Sequence, residues 1–128
     1  MSTFWSNLYS GGNILVIDDE REFNFPAVYA RNLADARKLI TSRHWDQVWL
    51  DNDLGNDEEV KTLVKEIEWA YWGGKEGQEL GHEYDVDMFV IHTQNPVARN
   101  WMADTILEMD DFGLSIEVDL KPFLKKGG

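Results

Sequence analysis

The chain has 128 residues, of which 43% are hydrophobic, and this is enough for one domain with its own buried core. Its 24 acidic residues outnumber its 12 basic residues, and the net charge of −12 argues against a broad basic surface for double-stranded nucleic acid or an anionic membrane. The sequence has no cysteine, which excludes disulfides and thiolate metal sites. It shows neither a signal-peptide pattern nor an apolar run of about 18 residues, so we expect a cytoplasmic protein.

Short apolar runs bounded by turn-forming residues predict five β-strands. The clearest run is Val48-Trp49-Leu50, because a continuous apolar stretch of this kind is typical of a strand buried on both faces of a parallel sheet. The predicted strands are residues 13–17, 27–30, 47–50, 88–91 and 114–118. We interpret the whole chain, 1–128, as one domain with an N-terminal tail at 1–12 and a C-terminal tail at 124–128.

Three helices are predicted between the strands from N-cap residues and from apolar positions at helical spacing. The predicted N-caps are Asn32, then either Asn56 or Asp57, and finally Asn95. Pro96 at the first helical position supports the third start. The second helix is the longest, and acidic residues in its first turn suit the helix dipole. The predicted ends are Arg43-His44 for the first helix and Gly73-Gly74 for the second.

Acidic residues follow two of the predicted strands at the point where each strand ends. Asp18 and Asp19 follow the first strand, and Asp51 and Asp53 follow the Val48 strand. Because the carboxyl ends of parallel strands meet at one edge of a sheet, we expect these carboxylates to cluster there. Two carboxylates about 4 Å apart repel each other by roughly 4 kcal/mol at an effective dielectric constant near 20. A hard divalent cation removes this repulsion, and oxygen ligands favour Mg²⁺ or Mn²⁺. A strand end that is simply solvated is the alternative.

A second group of polar residues is suited to bind a phosphate near the same edge. His92 and Thr93 follow the fourth predicted strand, and Asn95 starts a helix whose free N–H groups favour an anion. Arg99 lies in the first turn of that helix, and Lys121 follows the fifth strand. His92 is also placed to protonate a leaving oxygen. A lone histidine beside a strand is often structural, and both interpretations of His92 stay open here.

Several of these motifs resemble those of bacterial response-regulator receiver domains. Residues 14–20, with the acidic pair, resemble their first strand, and Asp51 falls where their phospho-accepting aspartate lies. Thr93 and Lys121-Pro122-Phe123 resemble the ends of their fourth and fifth strands. The resemblance covers residues 13–123 and implies an α/β, flavodoxin-type three-layer sandwich with a parallel five-stranded sheet in the order 2-1-3-4-5. In receivers the acids hold Mg²⁺, while the Thr or Ser and the Lys contact the phosphoryl group.

The chain also departs from ordinary receivers. The gap between Asp19 and Asp51 is too short for a regular first crossover helix, and no fifth helix follows Lys121. We therefore expect the first and last helices of the sandwich to be reduced or missing. The missing last helix argues against ordinary receiver output.

Three stretches look like the motifs of a divergent family, the cyclic-phosphate processing receiver domains. They are Asp18 to Arg21, Leu50 to Gly55, and His92 to Pro96. Asn52 stands where a histidine is usual in that family, which leaves the role of that histidine unassigned in this chain. The resemblance implies a metal-dependent phosphoesterase that acts on a cyclic phosphate, either in a nucleotide or at an RNA 2′,3′-cyclic end.

In this interpretation Asp18, Asp19 and Asp51 bind Mg²⁺ or Mn²⁺. His92, Asp51 and Asp53 are the expected catalytic residues. Thr93, Asn95, Arg99 and Lys121 are the expected phosphate-binding residues. One alternative is a signalling receiver that is phosphorylated on Asp51, and another is a non-catalytic module that binds a nucleotide or a protein partner through the acidic edge. The sequence does not identify the substrate.

Overall fold

A computed structural model describes residues 13–75 and 84–125 of the chain. The five strands are β1 (Ile14–Ile17), β2 (Val28–Ala30), β3 (Trp45–Leu50), β4 (Val86–Ile91) and β5 (Gly113–Ile116). The described ranges contain three α-helices, α1 (Leu33–Ile40), α2 (Val60–Lys75) and α3 (Pro96–Met109), and a 3₁₀-helix at Lys121–Phe123. All neighbouring strands pair in parallel, in the predicted order 2-1-3-4-5. None of the helices in the described ranges is long and apolar enough to cross a membrane.

The helices pack on one face of the sheet. The buried faces of α1, α2 and α3 join one hydrophobic cluster with alternate residues of the central strands, for example Leu15, Val48 and Phe89. Alternating side chains of β1 and β3, such as Val16 and Trp49, face the other side. The two sets follow the period-two alternation of a strand that is covered on both sides.

Among the described residues, the segments that cover the second face are not α-helical. Between β1 and β2 the chain runs across this face and contributes Phe23 and Phe25, and the segment after β5 contributes Leu120 and Phe123. The expectation of reduced first and last helices is therefore confirmed. Leu124, which the sequence places in a C-terminal tail, forms an isolated antiparallel bridge with Phe23. The predicted N-terminal tail at 1–12 lies outside the described residues.

The start of α2 differs from the prediction. Gly55, Asn56 and Asp57 all have positive φ angles, of 75°, 51° and 63°, so they form a turn that no helix can include. The helix begins at Val60, and its first turn contains no acidic residue. The predicted N-cap at Asn56 or Asp57 is therefore wrong, and so is the predicted interaction of acidic residues with the helix dipole.

The two predicted helix ends also differ. α1 stops at Ile40 instead of Arg43-His44, because the hydroxyls of Thr41 and Ser42 donate to carbonyls of its last turn. α2 continues through Gly73-Gly74 to Lys75. Each glycine costs about 1 kcal/mol in a helix. The buried side of α2, which includes Val64, Ile67 and Ala70, offsets this cost by packing against the core.

Candidate functional site

The register of three neighbouring strands brings Asp18, Asp51 and His92 together. Ile17 pairs with Leu50, and Leu50 pairs with Ile91, so the next residue of each strand lies at the same level of the sheet. All three residues are buried, and their ligand atoms lie within 4.8 Å of one another. The three residues lie two positions after Val16, Trp49 and Val90 along the chain, so they are on the same face of the sheet. This is the second face, which the aromatic segments cover, and it is called the aromatic-covered face below.

Asp18 is the most heavily hydrogen-bonded side chain of this cluster. It is 0% exposed. Its Oδ1 accepts from the backbone N–H groups of Glu20 (3.0 Å) and Arg21 (2.9 Å). Its Oδ2 accepts from Arg21 Nη1 (3.2 Å) and from His92 Nε2 (3.1 Å). A buried carboxylate with four donors is satisfied at both oxygens, so the position of this group is well defined.

Arg21 bridges the two carboxylates. Its Nη1 atom lies 3.2 Å from Asp18 Oδ2 and 3.2 Å from Asp51 Oδ2. The backbone carbonyl of Arg21 accepts a 2.7 Å hydrogen bond from Arg31 Nη1, which also donates to the carbonyl of Asp18 (3.1 Å). The Arg21 contacts show that one cationic group between Asp18 and Asp51 reaches an oxygen of each. Neither arginine was predicted to have a role at the site.

The two carboxyl groups have opposite pKa shifts. Burial alone raises the pKa of Asp18, but hydrogen bonds from His92 and from the Arg21 and Glu20 backbone outweigh it and hold that pKa well below its usual range. Burial raises the pKa of Asp51, and the negative charge of Asp18 raises it further. Asp51 is therefore the member of the pair for which ionisation is costly, and a second cation beside it would lower this cost.

His92 is 0% exposed, and its ring contacts Asp18 through a hydrogen bond in the interior of the protein. Because an ionised carboxylate only accepts hydrogen bonds, the proton of this contact belongs to Nε2. Among the described residues, the Nδ1 atom has no hydrogen-bond partner. The ring packs edge-on against Phe23 at 5.4 Å and lies 5.8 Å from the Trp49 ring, measured between centroids. In this arrangement His92 orients Asp18 and does not face the solvent.

The chain belongs to a known family. The sequence model described as Cyclic-phosphate processing Receiver domain matches residues 13–108, which include Asp18, Asp51 and His92. This is a receiver domain of the cyclic-phosphate processing type. No curated protein matches the chain.

A solved structure shows the same receiver fold. It is a response regulator protein from Burkholderia pseudomallei, and its crystal structure contains a phosphorylated aspartic acid, a calcium ion and citrate. It matches with a TM-score of 0.51 and 18% identity, over 89% of this chain and 66% of that chain. At this identity the similarity concerns the fold alone. The chain spans 66% of the length of that protein.

Two other predicted acids of this receiver domain are not in the buried cluster. Asp19 and Asp53 are both exposed. Asp19 lies against the turn after β3, where its Oδ2 is 3.5 Å from the position that a Cβ atom of Gly55 would take. Asp53 accepts a hydrogen bond from the Gly55 N–H (3.1 Å). Both carboxylates are thus open to solvent beside the site, and neither shares a hydrogen bond with Asp18 or Asp51.

Within the described residues, none of the predicted phosphate-binding side chains forms a hydrogen bond or an ion pair with a side chain of the buried cluster. Thr93 is buried, and its hydroxyl accepts from the Asn95 N–H (3.2 Å). The Asn95 side chain accepts from the N–H groups of Val97 and Ala98, so it already occupies the start of α3. Arg99 is half-buried and Lys121 is exposed, and within the described residues neither forms an ion pair.

Asn52, which replaces the usual histidine, has a structural role in this chain. It is 2% exposed. Its Nδ2 donates to Glu59 Oε2 (3.1 Å), and its Oδ1 accepts from the Lys61 N–H (3.2 Å). The side chain therefore connects the end of β3 to the first turn of α2 on the helix-covered face. The residue pattern alone did not indicate this contact.

The donor set of the cluster fits a hard divalent cation. Two carboxylate oxygens already share one cationic nitrogen, and Mg²⁺ is commonly held by one or two carboxylates together with water. Asp18 and Asp51 are the residues that would hold it. His92 Nε2 carries the proton that orients Asp18, so it is not a ligand while that hydrogen bond exists. Arg21 must leave its bridging position for a metal to bind both carboxylates.

Proposed function

We propose that this receiver domain binds Mg²⁺ or Mn²⁺ at Asp18 and Asp51 and uses it to hydrolyse a cyclic phosphate, in a nucleotide or at an RNA end. The observation that carries the proposal is the Asp18–Asp51 pair at the carboxyl edge of the sheet. Both carboxylates contact the same cationic group, the Arg21 guanidinium. Membership of the cyclic-phosphate processing family supports the choice of substrate class. Ring opening breaks one P–O bond, adds one water and leaves a phosphate monoester.

The bound cation would polarise a phosphate oxygen and make a water molecule a better nucleophile. Arg21 is the residue best placed to bind the phosphate once the cation has displaced its side chain. Its guanidinium lies between the two carboxylates, and its backbone stays fixed by the hydrogen bond from Arg31. A guanidinium can bind two phosphate oxygens at once. The exposed Asp53 carboxylate beside the site is available to accept a proton from water.

The other predicted residues keep their proposed roles at a distance. Arg99 and Lys121 carry charged ends that no ion pair occupies within the described residues, and they would attract the phosphate. Thr93 and Asn95 shape the start of α3 beside them. Asp19 is available as a further oxygen ligand at the surface. General acid catalysis by His92 remains a prediction, and it requires the ring to exchange its hydrogen bond to Asp18 for one to the leaving oxygen.

The first prediction tests turnover directly. The full chain is incubated with Mg²⁺ or Mn²⁺ and with RNA ends carrying 2′,3′-cyclic phosphate, 3′,5′-cyclic nucleotides or cyclic oligonucleotides, and chromatography resolves the products. We expect one class to be opened to the monoester, and chelation of the metal to stop the reaction. Asp104→Asn, an exposed change on α3, serves as the unaffected control. If no class is opened but one binds, the chain is a non-catalytic binding module.

A second candidate function is phosphorylation of Asp51 as in a signalling receiver. It is favoured by the position of Asp51, which directly follows β3 and shares the Arg21 guanidinium with Asp18, and by the fold shared with a protein that carries a phosphorylated aspartic acid. Lys121 argues against it, because its side chain is exposed and forms no ion pair with Asp51 in the described structure.

The second prediction separates this candidate from hydrolysis. Acetyl phosphate and Mg²⁺ are added to the protein, and intact-mass spectrometry follows the addition of one phosphoryl group. We expect no stable adduct, because Lys121 is exposed and its ammonium is not paired with Asp51 in the described structure, so it is not held where it would stabilise a phosphoryl group on that carboxylate. A stoichiometric adduct that disappears in Asp51→Asn would make phosphorylation the better account of this site.

A further inference from the structure

A cavity of about 570 Å³ lies on the same face of the sheet as the acidic cluster, nearer the amino ends of β1 and β3. The buried Trp49 ring belongs to the sheet beneath it, while Phe25 and Phe123 come from the two covering segments. The Trp49 ring centroid lies 5.1 Å from that of Phe25 and 5.4 Å from that of Phe123. The volume is in the range of small-molecule sites, and three aromatic rings in its lining suit a flat, unsaturated ligand.

Two amide side chains line this cavity, and each is oriented by a hydrogen bond that fixes which half is free. Trp49 Nε1–H can only donate, so its 2.9 Å partner on Gln47 is the oxygen, and the Gln47 amide N–H₂ remains free. The Pro122 carbonyl can only accept, so its 2.7 Å partner on Asn24 is the nitrogen, and the Asn24 amide oxygen remains free. Within the described chain, neither the Gln47 N–H₂ nor the Asn24 oxygen has a partner.

From these features we propose that the cavity binds a nucleobase. Aromatic walls with one oriented donor and one oriented acceptor match a planar ring whose edge presents an acceptor next to a donor, as nucleobases do. An aliphatic ligand would offer the two amides no hydrogen bond, and a phosphate would meet no cationic side chain among the lining residues. The cavity therefore selects the base, whereas the phosphate belongs to the acidic cluster.

The position of the cavity relates it to the reaction. Trp49 lies two residues before Asp51 on β3, which is about 7 Å along a strand. Phe23 stands between the two sites, because its ring contacts both His92 and Trp49. The bound base would belong to the cyclic nucleotide itself or to a neighbouring nucleotide of an RNA end. In this respect the inference rests on the proposed function, but binding of the base does not require the metal or Asp51.

The third prediction therefore uses adenosine, cytidine, guanosine and uridine, which have a base and no phosphate, and measures their binding without metal by saturation-transfer NMR and titration. We expect saturable binding of at least one of them, and none of ribose. Phe123→Ala should weaken it about tenfold, because the base would lose one of the aromatic side chains on which it stacks. Gln47→Glu keeps the oxygen that Trp49 Nε1–H needs and removes the free donor, so it should weaken binding about as much.

Asp104→Asn, on the helix-covered face, should bind as wild type, and circular dichroism confirms that each variant is folded. Absence of saturable nucleoside binding at millimolar concentration overturns the inference, and so does equal binding by wild type, Phe123→Ala and Gln47→Glu. The two proposals fail separately. Turnover of a cyclic phosphate without nucleoside binding would remove the base site alone, whereas nucleoside binding without turnover of any cyclic phosphate would remove the hydrolase alone.

Discussion

Asp18→Asn is expected to lower the free energy of unfolding by about 3–5 kcal/mol, the usual cost of removing one partner from a buried ionic network. The change preserves volume, so no cavity contributes. An asparagine at this position is uncharged and has one accepting oxygen instead of two. Each Asp18 oxygen accepts from two donors, so the N–H₂ group of the asparagine would face two donors in either orientation. The His92 ring, whose Nδ1 has no partner in the part of the chain that the structure describes, would then lose its hydrogen bond to a carboxylate.

The pH dependence provides an independent check of this Asp18 prediction. Because the pKa of Asp18 is lowered in the folded protein, its stabilising effect is complete above the unfolded pKa of about 3.9 and is lost as the pH falls toward the folded value. The difference in the free energy of unfolding between wild type and Asp18→Asn, measured by urea denaturation, should therefore be largest near pH 7 and should shrink below about pH 4.

The adjacent Asp19→Asn is the matched control for Asp18→Asn. Asp19 is exposed, so the same substitution there should stay within about 0.5 kcal/mol of wild type. If the two variants were equally stable, Asp18 would not be held by the network described here.

The sequence predicted the strands themselves because their patterns are local, whereas the order of the strands was implied by the resemblance to receiver domains. The run Val48-Trp49-Leu50 is apolar throughout, and acids follow it directly, so both the strand and the edge where it ends are visible without any tertiary information. The convergence of Asp18 and Asp51 follows from parallel strands of matched register, and the pairing of Ile17 with Leu50 confirms it. The short gap before β3 likewise predicted the missing first helix correctly.

What the sequence did not predict depends on contacts between distant segments. Arg21 lies close to Asp18 in the chain, but its link to Asp51 spans thirty residues and exists only once β1 and β3 pair. The burial of His92 depends on Phe23 and Trp49, which come from other parts of the chain. The first turn of α2 is capped by Asn52 across a loop with three positive φ angles, so a search for a cap next to the helix placed its start too early.

The part of the aromatic-covered face near the amino ends of β1 and β3 was also not predicted from the sequence. Phe23 and Phe25 had no role in the receiver-like pattern, and Phe123 entered it only as part of a motif that resembles the end of the fifth receiver strand. In the folded chain they replace the missing helices and cover Trp49 and its neighbours. The cavity beside Trp49 lies between two of these covering segments, one that carries Phe25 and one that carries Phe123.

Asp51→Asn is expected to have opposite effects on activity and on stability. As a proposed metal ligand, Asp51 should be needed for turnover, so Asn should reduce the rate of cyclic phosphate opening by at least about a hundredfold, comparable to the loss of one strong electrostatic contact to the transition state. Metal should also no longer raise the melting temperature. In wild type a metal concentration of 100 Kd stabilises the folded state by about 2.7 kcal/mol.

The metal-free Asp51→Asn variant should be more stable than metal-free wild type at pH 7. The pKa of Asp51 is raised in the folded state by burial and by Asp18, so the wild-type protein loses stability as the pH rises through the unfolded pKa toward the folded one. An asparagine has no charge to desolvate, and the gain should vanish below about pH 4, where Asp51 is protonated in both states.

Asp53→Asn, an exposed change two residues away, is the matched control for stability and for the metal-induced shift. A metal-induced shift that survives in Asp51→Asn would place the cation elsewhere. If Asp51→Asn lost both activity and metal-free stability, Asp51 would be a residue that stabilises the fold. The proposal that its carboxylate is destabilising until a cation binds would then be wrong.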